Sequence, residues 1–400
     1  MTLAASRLQD IKARYGAEAV VFSRATPAGS ATADLEGWVP RLANAFGSPN
    51  VMTTTHICIW NRLWGSKYTY GVPTPSPDYE HTRCMLLWGY YPEASEPAAA
   101  LRISRAKARG AKLIIIDPRQ HSPAQKADLW LRVRPGTDGA LALRMVHVLP
   151  EEGLYDATFV REWTNGALLV REDTHRLLTE QELAPSGHPQ TFIVWDGRSG
   201  GPVGYHADRG YAQEGGAPAL SGTYTFTLAA GHVVECRPAF ELLKELAAQY
   251  APERSEAITG VPAGDVRQAA RMFATEQPSC YATWVGLEQH TNAMQTNRAV
   301  RLFYTLTGQF DRRGSNVLFA NTPTNAITGG ELLPREKAAL EALDFYVHVD
   351  MFANPSAAFA DLLLPACTCW DCSAVGRARR RRLYPGPLGR GLLEGGVDRR

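Results

Sequence analysis

An α/β fold of two Rossmann-like parallel-sheet domains with a small antiparallel β excursion is predicted by three features of this 400-residue chain. The first is a pair of short apolar runs, Leu86-Leu87-Trp88 and Ile114-Ile115-Ile116, each the length of a buried strand. The second is the turn that follows each run, Gly89-Tyr90-Tyr91-Pro92 and Asp117-Pro118-Arg119. Doubly wound folds place ligands at such turns, outside the carboxyl ends of parallel strands. The third is helical periodicity at Ala98 to Arg109, and again at Ala140 to Leu149 after Arg134-Pro135-Gly136-Thr137-Asp138, a spacing that fits right-handed parallel crossovers.

Taken in order, residues 1 to 57 alternate an amphipathic helix, the strand-like Ala19-Val20-Val21-Phe22 and a second helix around Leu35 to Phe46. The strand–helix alternation begins at Cys58. It is interrupted between residues 168 and 237 by turn-rich, β-branched and aromatic sequence such as Thr191-Phe192-Ile193-Val194-Trp195 and Gly222-Thr223-Tyr224-Thr225-Phe226, which is the antiparallel excursion. Helical periodicity returns at Ala239 to Gln249 and Ala263 to Ala274, and a strand at Cys280 to Val285 opens a further α/β region running to about Cys372. The expected division is a discontinuous domain of residues 1–57 and 281–372, an inserted dinucleotide-binding domain of residues 58–280, and a tail of residues 373–400. That tail carries eight arginines, including the run Arg379 to Arg382, and almost no apolar periodicity. It reads as a disordered segment. A basic arm for an anionic partner is outweighed by a plain tail or by translation in a shifted frame, and the shifted frame is favoured.

Composition excludes several classes. Hydrophobic residues make up 45% and charged residues 20%, ordinary values for a globular protein with a sizeable core. A formal net charge of +2 with dispersed basic residues gives no case for nucleic acid as a partner. The opening segment lacks the apolar stretch of a signal peptide and no membrane span is read, so the default is cytoplasmic. Seven scattered cysteines in so long a chain argue for a reducing compartment rather than a disulfide framework. Cys367, Cys369 and Cys372 bring three sulfurs together without a fourth ligand, and metal binding there is not expected.

Asp117 at a strand end is placed to accept from ribose hydroxyls or from the paired N–H donors of a guanine edge, and Arg119 to hold a phosphate. An ordinary Asp-Pro turn with a surface ion pair explains the same residues equally well. Thr137-Asp138 is a helix N-cap signal whose N–H groups would also suit an anion. Neither a Gly-x-Gly-x-x-Gly turn after the first strand nor a phosphate-binding Gly-x-x-x-x-Gly-Lys loop is found, which sets nicotinamide and P-loop enzymes aside.

Together the Gly89-to-Pro92, Asp117-Pro118-Arg119 and Pro135-Gly136-Thr137-Asp138 blocks resemble the molybdopterin oxidoreductases of the dimethyl sulfoxide reductase family. The resemblance continues through Trp163-Thr164-Asn165-Gly166, Ile258-Thr259-Gly260-Val261, Gly286-Leu287-Glu288-Gln289-His290-Thr291-Asn292, Leu306-Thr307-Gly308 and Ala360-Asp361-Leu362-Leu363-Leu364-Pro365, so that it covers roughly residues 5 to 372. It implies a bis-molybdopterin guanine dinucleotide cofactor with molybdenum or tungsten, and a catalytic subunit, or a fragment of one, performing two-electron redox chemistry with oxygen-atom or sulfur transfer to or from a small-molecule substrate. It carries cofactor-binding roles to Gly89, Tyr90, Tyr91, Asp117, Arg119, Gly136, Thr137, Asp138, Gly286, Glu288, His290 and Asn292. Tyr90-Tyr91 departs from the Asn that often precedes the proline in this family. Cys58, in Thr55-His56-Ile57-Cys58, takes the position of the protein's metal ligand, a soft thiolate suited to a sulfur-rich centre. His56 ranks second as a catalytic residue. The context of these two resembles the branch that includes acetylene hydratase and the thiosulfate and polysulfide reductases, which makes a non-redox hydratase the enzymatic alternative. A cofactor-free scaffold subunit of a respiratory complex is the other. No Cys-x-x-Cys precedes Cys58, so the family's N-terminal iron–sulfur domain and cluster are expected to be absent, as is its C-terminal cofactor domain. A separate iron–sulfur subunit is the expected electron partner, and an incomplete gene product is the expected origin.

Overall fold

The computed structural model describes residues 2–24, 35–53, 58–72, 74–212, 215–318, 347–350 and 362–365. Its contacts divide into two compact units, one from Met1–Ile57 and Asn321–Tyr384, the other centred on Cys58–Ala320. The arginine-rich tail and Cys367, Cys369 and Cys372 lie outside the described residues.

In the first unit, helix α1 (Thr2–Tyr15) precedes strand β1 (Phe22–Arg24), which leads through α2 (Leu35–Phe46) to β2 (Val51–Thr53), paired with β1 in parallel. Phe22 packs edge-on against Phe46, with ring centroids 5.6 Å apart, so the helix covers the strand it follows. Val347–Asp350 pairs in parallel with Leu362–Pro365.

The second unit is a mixed α/β body around one parallel sheet. Its first half runs α3 (Trp60–Tyr70), β3 (Ser76–Pro77), β4 (Cys84–Trp88), α4 (Pro92–Ser95), α5 (Pro97–Ala108), β5 (Lys112–Ile116), α6 (Ser122–Gln125), β6 (Leu129–Leu131) and α7 (Asp138–Glu151). Every residue of β4 is buried, because a parallel strand covered on both faces has no solvent side and reads as an unbroken apolar run. The period of two still sorts the side chains. Cys84, Leu86 and Trp88 join Ile114, Ile116 and residues of α7 in one core, while Met85 and Leu87 join Leu113, Ile115 and Ile103 of α5 in the other.

After α8 (Ala157–Trp163) the chain enters the excursion, and its strands are antiparallel as the turn-rich, β-branched and aromatic sequence predicts. They are β7 (Leu169–Arg171), β8 (Thr191–Asp196), β9 (Gly201–His206), β10 (Gly210–Tyr211), β11 (Tyr224–Thr227) and β12 (Val233–Pro238), with the four-residue α9 (Glu180–Leu183) between β7 and β8. They form two three-stranded sheets, ordered β10-β9-β8 and β11-β12-β7, over a small core of Leu169, Ile193, Phe226 and Cys236. Helices α10 (Ala239–Ala248), α11 (Pro252–Thr259) and α12 (Ala263–Thr275) then return the chain to β13 (Ser279–Thr283).

Strand β13 pairs with β4 residue for residue, from Ser279 opposite Cys84 to Thr283 opposite Trp88, and completes the sheet order β13-β4-β5-β6. The domain boundary expected between residues 280 and 281 therefore falls inside a strand of this sheet. Chain order alone could not show that the run at Cys280 returns to pair with a strand almost 200 residues earlier (|i−j| of 196 separates the adjoining Thr82 and Pro278, which are hydrogen-bonded). Two more helices follow, the short α13 (Val285–Glu288) and α14 (Ala293–Leu306), whose Val300 and Phe303 enter the same core as α7.

Helix α7 is fastened at its middle by Arg144, fully buried with no carboxylate hydrogen-bonded to it. Its guanidinium donates to the Pro252 carbonyl at 2.7 Å, to the Val261 carbonyl at 2.9 Å and to the Thr259 hydroxyl. Removing it takes a charged donor from two buried carbonyls and from the Thr259 hydroxyl, which keeps Val261 N as a donor at 3.3 Å; each lost bond is worth about 1–3 kcal/mol, offset by the desolvation of the lost charge. Arg144→Met is expected to lower stability by roughly 2 kcal/mol. Denaturant midpoints check this, and an unchanged midpoint would show that the three bonds contribute nothing net.

Candidate functional site

The carboxyl ends of β4 and β13 leave the sheet side by side, and two glycines let their backbones touch. Gly89 takes φ +58°, a left-handed conformation that side chains disfavour, and its carbonyl accepts from Gly286 N at 3.1 Å. A Cβ on Gly286 would lie 2.6 Å from Gly89 Cα, and one on Gly89 would lie 2.9 Å from Gly286 Cα. Beyond this contact the parallel strands diverge into separate turns and open a cleft of about 420 Å3. Gly89, Tyr91, Asp117, Arg119, Asp138, Gly286 and His290 line it, with Pro135 and Trp284 between them.

Two carboxylates are sunk into this cleft. Asp117 is 7% exposed, and its Oδ1 accepts from its neighbour Arg119 N at 2.8 Å, the self-capping turn that an Asp-Pro sequence favours. Trp130 Nε1 donates to the Asp117 carbonyl at 2.9 Å, so backbone and side chain are both held. Asp138 opens α7, and its Oδ1 accepts from Trp88 Nε1 at 2.8 Å. Burial pushes the Asp138 carboxyl above its ordinary value, with the Trp88 bond and the nearby His290 pulling the other way. His290 is itself fixed by a hydrogen bond from Nε2 to the Gly286 carbonyl at 2.7 Å, where the ring nitrogen must be the donor. Thr137 is the N-cap residue that its sequence predicts, yet its hydroxyl donates back to the Arg134 carbonyl at 2.7 Å instead of capping the helix.

Of the other residues singled out from sequence, Gly136 takes φ +83° in the turn beside Pro135, with open space where a Cβ would be. Tyr90 turns away from the cleft. Its hydroxyl donates to Glu96, and its ring lies 5.3 Å from that of Trp284. Asn292 is exposed and left-handed at φ +61°, at the start of α14. His56 lies outside the described residues. Cys58 is half-buried, forms no disulfide among the described residues, and stands two residues before α3.

Glu288 lies behind the cleft wall and not in it. Its side chain is wholly buried, with Oε1 2.9 Å from Arg62 Nε. Arg62 in turn lies over the Trp284 ring at 4.1 Å. Burial lowers the Arg62 pKa, Glu288 raises it, Arg301 lowers it and Cys58 raises it, in that order of strength. Burial likewise pushes the Glu288 carboxyl up to about 7, against the pull of Arg62 and Arg301. Reasoning from sequence missed Arg62, Trp284, Trp88 and His121. The last is a buried imidazole stacked on Tyr91 at 4.6 Å, with Nε2 3.5 Å from Asp117 Oδ2. A tryptophan closing each strand, Trp88 and Trp284, was the available signal; nothing local marks Arg62 or His121.

The family model for molybdopterin oxidoreductases matches residues 1–333. Perchlorate reductase subunit alpha of Dechloromonas aromatica (strain RCB) is 34% identical over 281 residues, covering 63% of this chain and 30% of that protein. Acetylene hydratase of Syntrophotalea acetylenica is 27% identical over 348 residues, covering 84% of this chain and 36% of that protein. Among solved structures, acetylene hydratase from Pelobacter acetylenicus matches with a TM-score of 0.59 and 27% identity, over 86% of this chain and 37% of that one. The chain thus spans about a third of the length of these relatives.

Gly286→Ala forces two backbones apart, and overpacking of that kind costs about 1–3 kcal/mol. The variant is expected to lose stability in that range by chemical denaturation, whereas Gly153→Ala, at a positive-φ glycine with open space, bears only its backbone strain and is the control. Equal losses in the two would remove the close approach as the cause. A second expectation concerns pH. Glu288 titrates at about 7 folded against an ordinary 4.5, so the native state binds the extra proton between those values. Its contribution is fully present below pH 4.5 and is lost as pH rises through 7, by roughly 3 kcal/mol. Glu288→Gln should remove that slope, and parallel stability profiles for variant and parent between pH 4.5 and 8 would contradict it.

Proposed function

This chain belongs to the molybdopterin oxidoreductase family, and from that premise we propose that it is the catalytic subunit, or a portion of one, of an enzyme performing two-electron redox chemistry with oxygen-atom or sulfur transfer. The observation that carries the reading is spatial. Seven of the twelve residues assigned by resemblance to the cofactor line one cleft of about 420 Å3 at the carboxyl ends of the parallel strands. That position is where open α/β sheets receive ligands.

The donor set fits one molybdopterin guanine dinucleotide. Asp117 would accept from the guanine edge, with Arg119 beside it for a phosphate oxygen. Gly136 and the start of α7 would admit the diphosphate close to the backbone. Gly89 and Gly286, without side chains, would let the ligand approach the backbone closely, and His290 and Asp138 would meet the polar rim of the pterin. Tyr91 offers a ring face to it. When bound, the cofactor supplies the redox-active molybdenum or tungsten, and Cys58 would add a protein sulfur to it. A small-molecule substrate and an iron–sulfur electron-transfer subunit are the proposed partners. A second reading, a non-redox hydratase on the same cofactor, is favoured by the breadth of the match to acetylene hydratase, 84% of this chain.

The test is the metal, pterin and guanine content of the protein purified anaerobically from its own host. Stoichiometric metal with oxidisable pterin is the expected result, and protein devoid of both would refute the reading. Asp117→Asn removes a charged acceptor worth about 2 kcal/mol, and the retained guanine nucleotide should fall more than tenfold. Cys58→Ala should keep the pterin and lower turnover by more than the roughly 10–100-fold that loss of an outer partner brings. Unchanged activity and metal content in that variant would reassign the ligand.

A further inference from the structure

The first turn of α3, which follows Cys58 by two residues, is fastened to the back of the cleft wall from four sides. Arg62 Nε meets Glu288 Oε1 at 2.9 Å. Its Nη1 donates to the Thr283 carbonyl at 2.9 Å. Its guanidinium covers the face of Trp284 at 4.1 Å. From the other direction, Asn61 Nδ2 donates to the Glu288 carbonyl, and Arg301 Nη2 donates to the Arg62 carbonyl at 2.9 Å. Residues 283–288 therefore do two things at once: Trp284, Val285 and Gly286 form cleft wall, and their neighbours Thr283 and Glu288 hold Arg62.

Packing alone does not account for a charged residue here. A buried ion pair is often no more stabilising than apolar residues of equal volume, so its charge points to a use. The charges acting on Arg62 are, in order of strength, those of Glu288, Arg301, Cys58 and Glu96. Arg301 is fully buried, and its own hydrogen bonds go to neutral oxygens, those of Asn297 and the Arg62 carbonyl. Two guanidiniums thus stand near one fully buried carboxylate, neither of whose oxygens has a hydrogen-bond partner among the described residues. The guanidinium is also the group suited to this place, since its planar fork can meet a carboxylate, a carbonyl and a ring face together, which an ammonium cannot.

We infer that Arg62 is a positioning residue, which locks the Cys58 segment to the cleft wall so that the Cys58 sulfur reaches a metal held in the cleft. The inference rests on the reading of Cys58 as metal ligand. It assigns to Arg62 no contact with substrate.

The experiment is metal-edge X-ray absorption on holoenzyme purified anaerobically, counting sulfur neighbours, with pterin content and thermal midpoint measured on the same samples. Cys58→Ser should lose one sulfur from the metal. Arg62→Met should lose the same sulfur in at least half of the metal sites while retaining pterin, and Arg62→Lys, which keeps the charge, should recover part of it. A merely structural arginine would instead lower pterin content and midpoint together, leaving the sulfur count intact in every protein that keeps its metal, and that result overturns the inference. Should Arg62→Met fail to fold, the uncharged but polar Arg62→Gln decides in the same way: a reduced count supports the inference and a full count overturns it. If Cys58→Ser itself keeps the full count, the ligand reading fails first and the inference with it, a pattern distinct from failure of Arg62 alone.

Discussion

The backbone contact between Gly89 and Gly286 is the constraint on which the cleft depends. Just past the paired strands the two backbones approach more closely than any side chain allows, since a Cβ on either glycine would come within 3 Å of the other's Cα. With both glycines in place, the chain after β4 can swing toward Tyr91 and the chain after β13 toward His290, which opens the space between Asp117 and Asp138. The hydrogen bond from Gly286 N to Gly89 O holds the two turns at that separation. Tyr91, Asp117, Asp138 and His290 line the cleft that those turns leave open.

Three carboxylates of this unit sit where burial makes charge expensive. Asp117 and Asp138 each keep one oxygen bonded, to a backbone N–H and an indole N–H respectively, and turn into a cleft large enough to accept more partners. Glu288 is set differently, wholly enclosed and answered by Arg62, with burial raising its pKa. Cleft-facing carboxylates therefore have capacity to spare for a ligand, whereas the enclosed one serves the wall that the cleft is cut from. That contrast separates residues that would touch a cofactor from residues that would only position them.

Much of the sheet could be read from local chemistry. The continuous apolar runs at Leu86 and Ile114 became buried parallel strands, and the β-branched and aromatic run at Thr191 became one strand of an antiparallel pair whose other strand is Gly201–His206. Helix starts were also local: α7 begins at Asp138, directly after the Thr137 N-cap position. What escaped was side-chain partnership. Thr137 has the composition of a capping residue, but the Arg134 carbonyl is closer to its hydroxyl than the helix's own N–H groups. Glu288 stands in a motif beside two cleft residues, yet on a helix of four residues its side chain points the opposite way, into the protein.

The sequence by itself determined the alternation of strands and helices, the turns at which a ligand could sit, and the order of motifs that marks the family, because apolar period, turn residues and capping signals all act within a few residues of one another. Tertiary structure alone decided which turns would face each other. Arg62 reaches the Thr283 carbonyl across 221 residues and Asn61 reaches Glu288 across 227, and no local pattern encodes such pairs. They exist because β13 returns to pair with β4, and that register was settled by the burial of two whole core layers rather than by the residues that make the site.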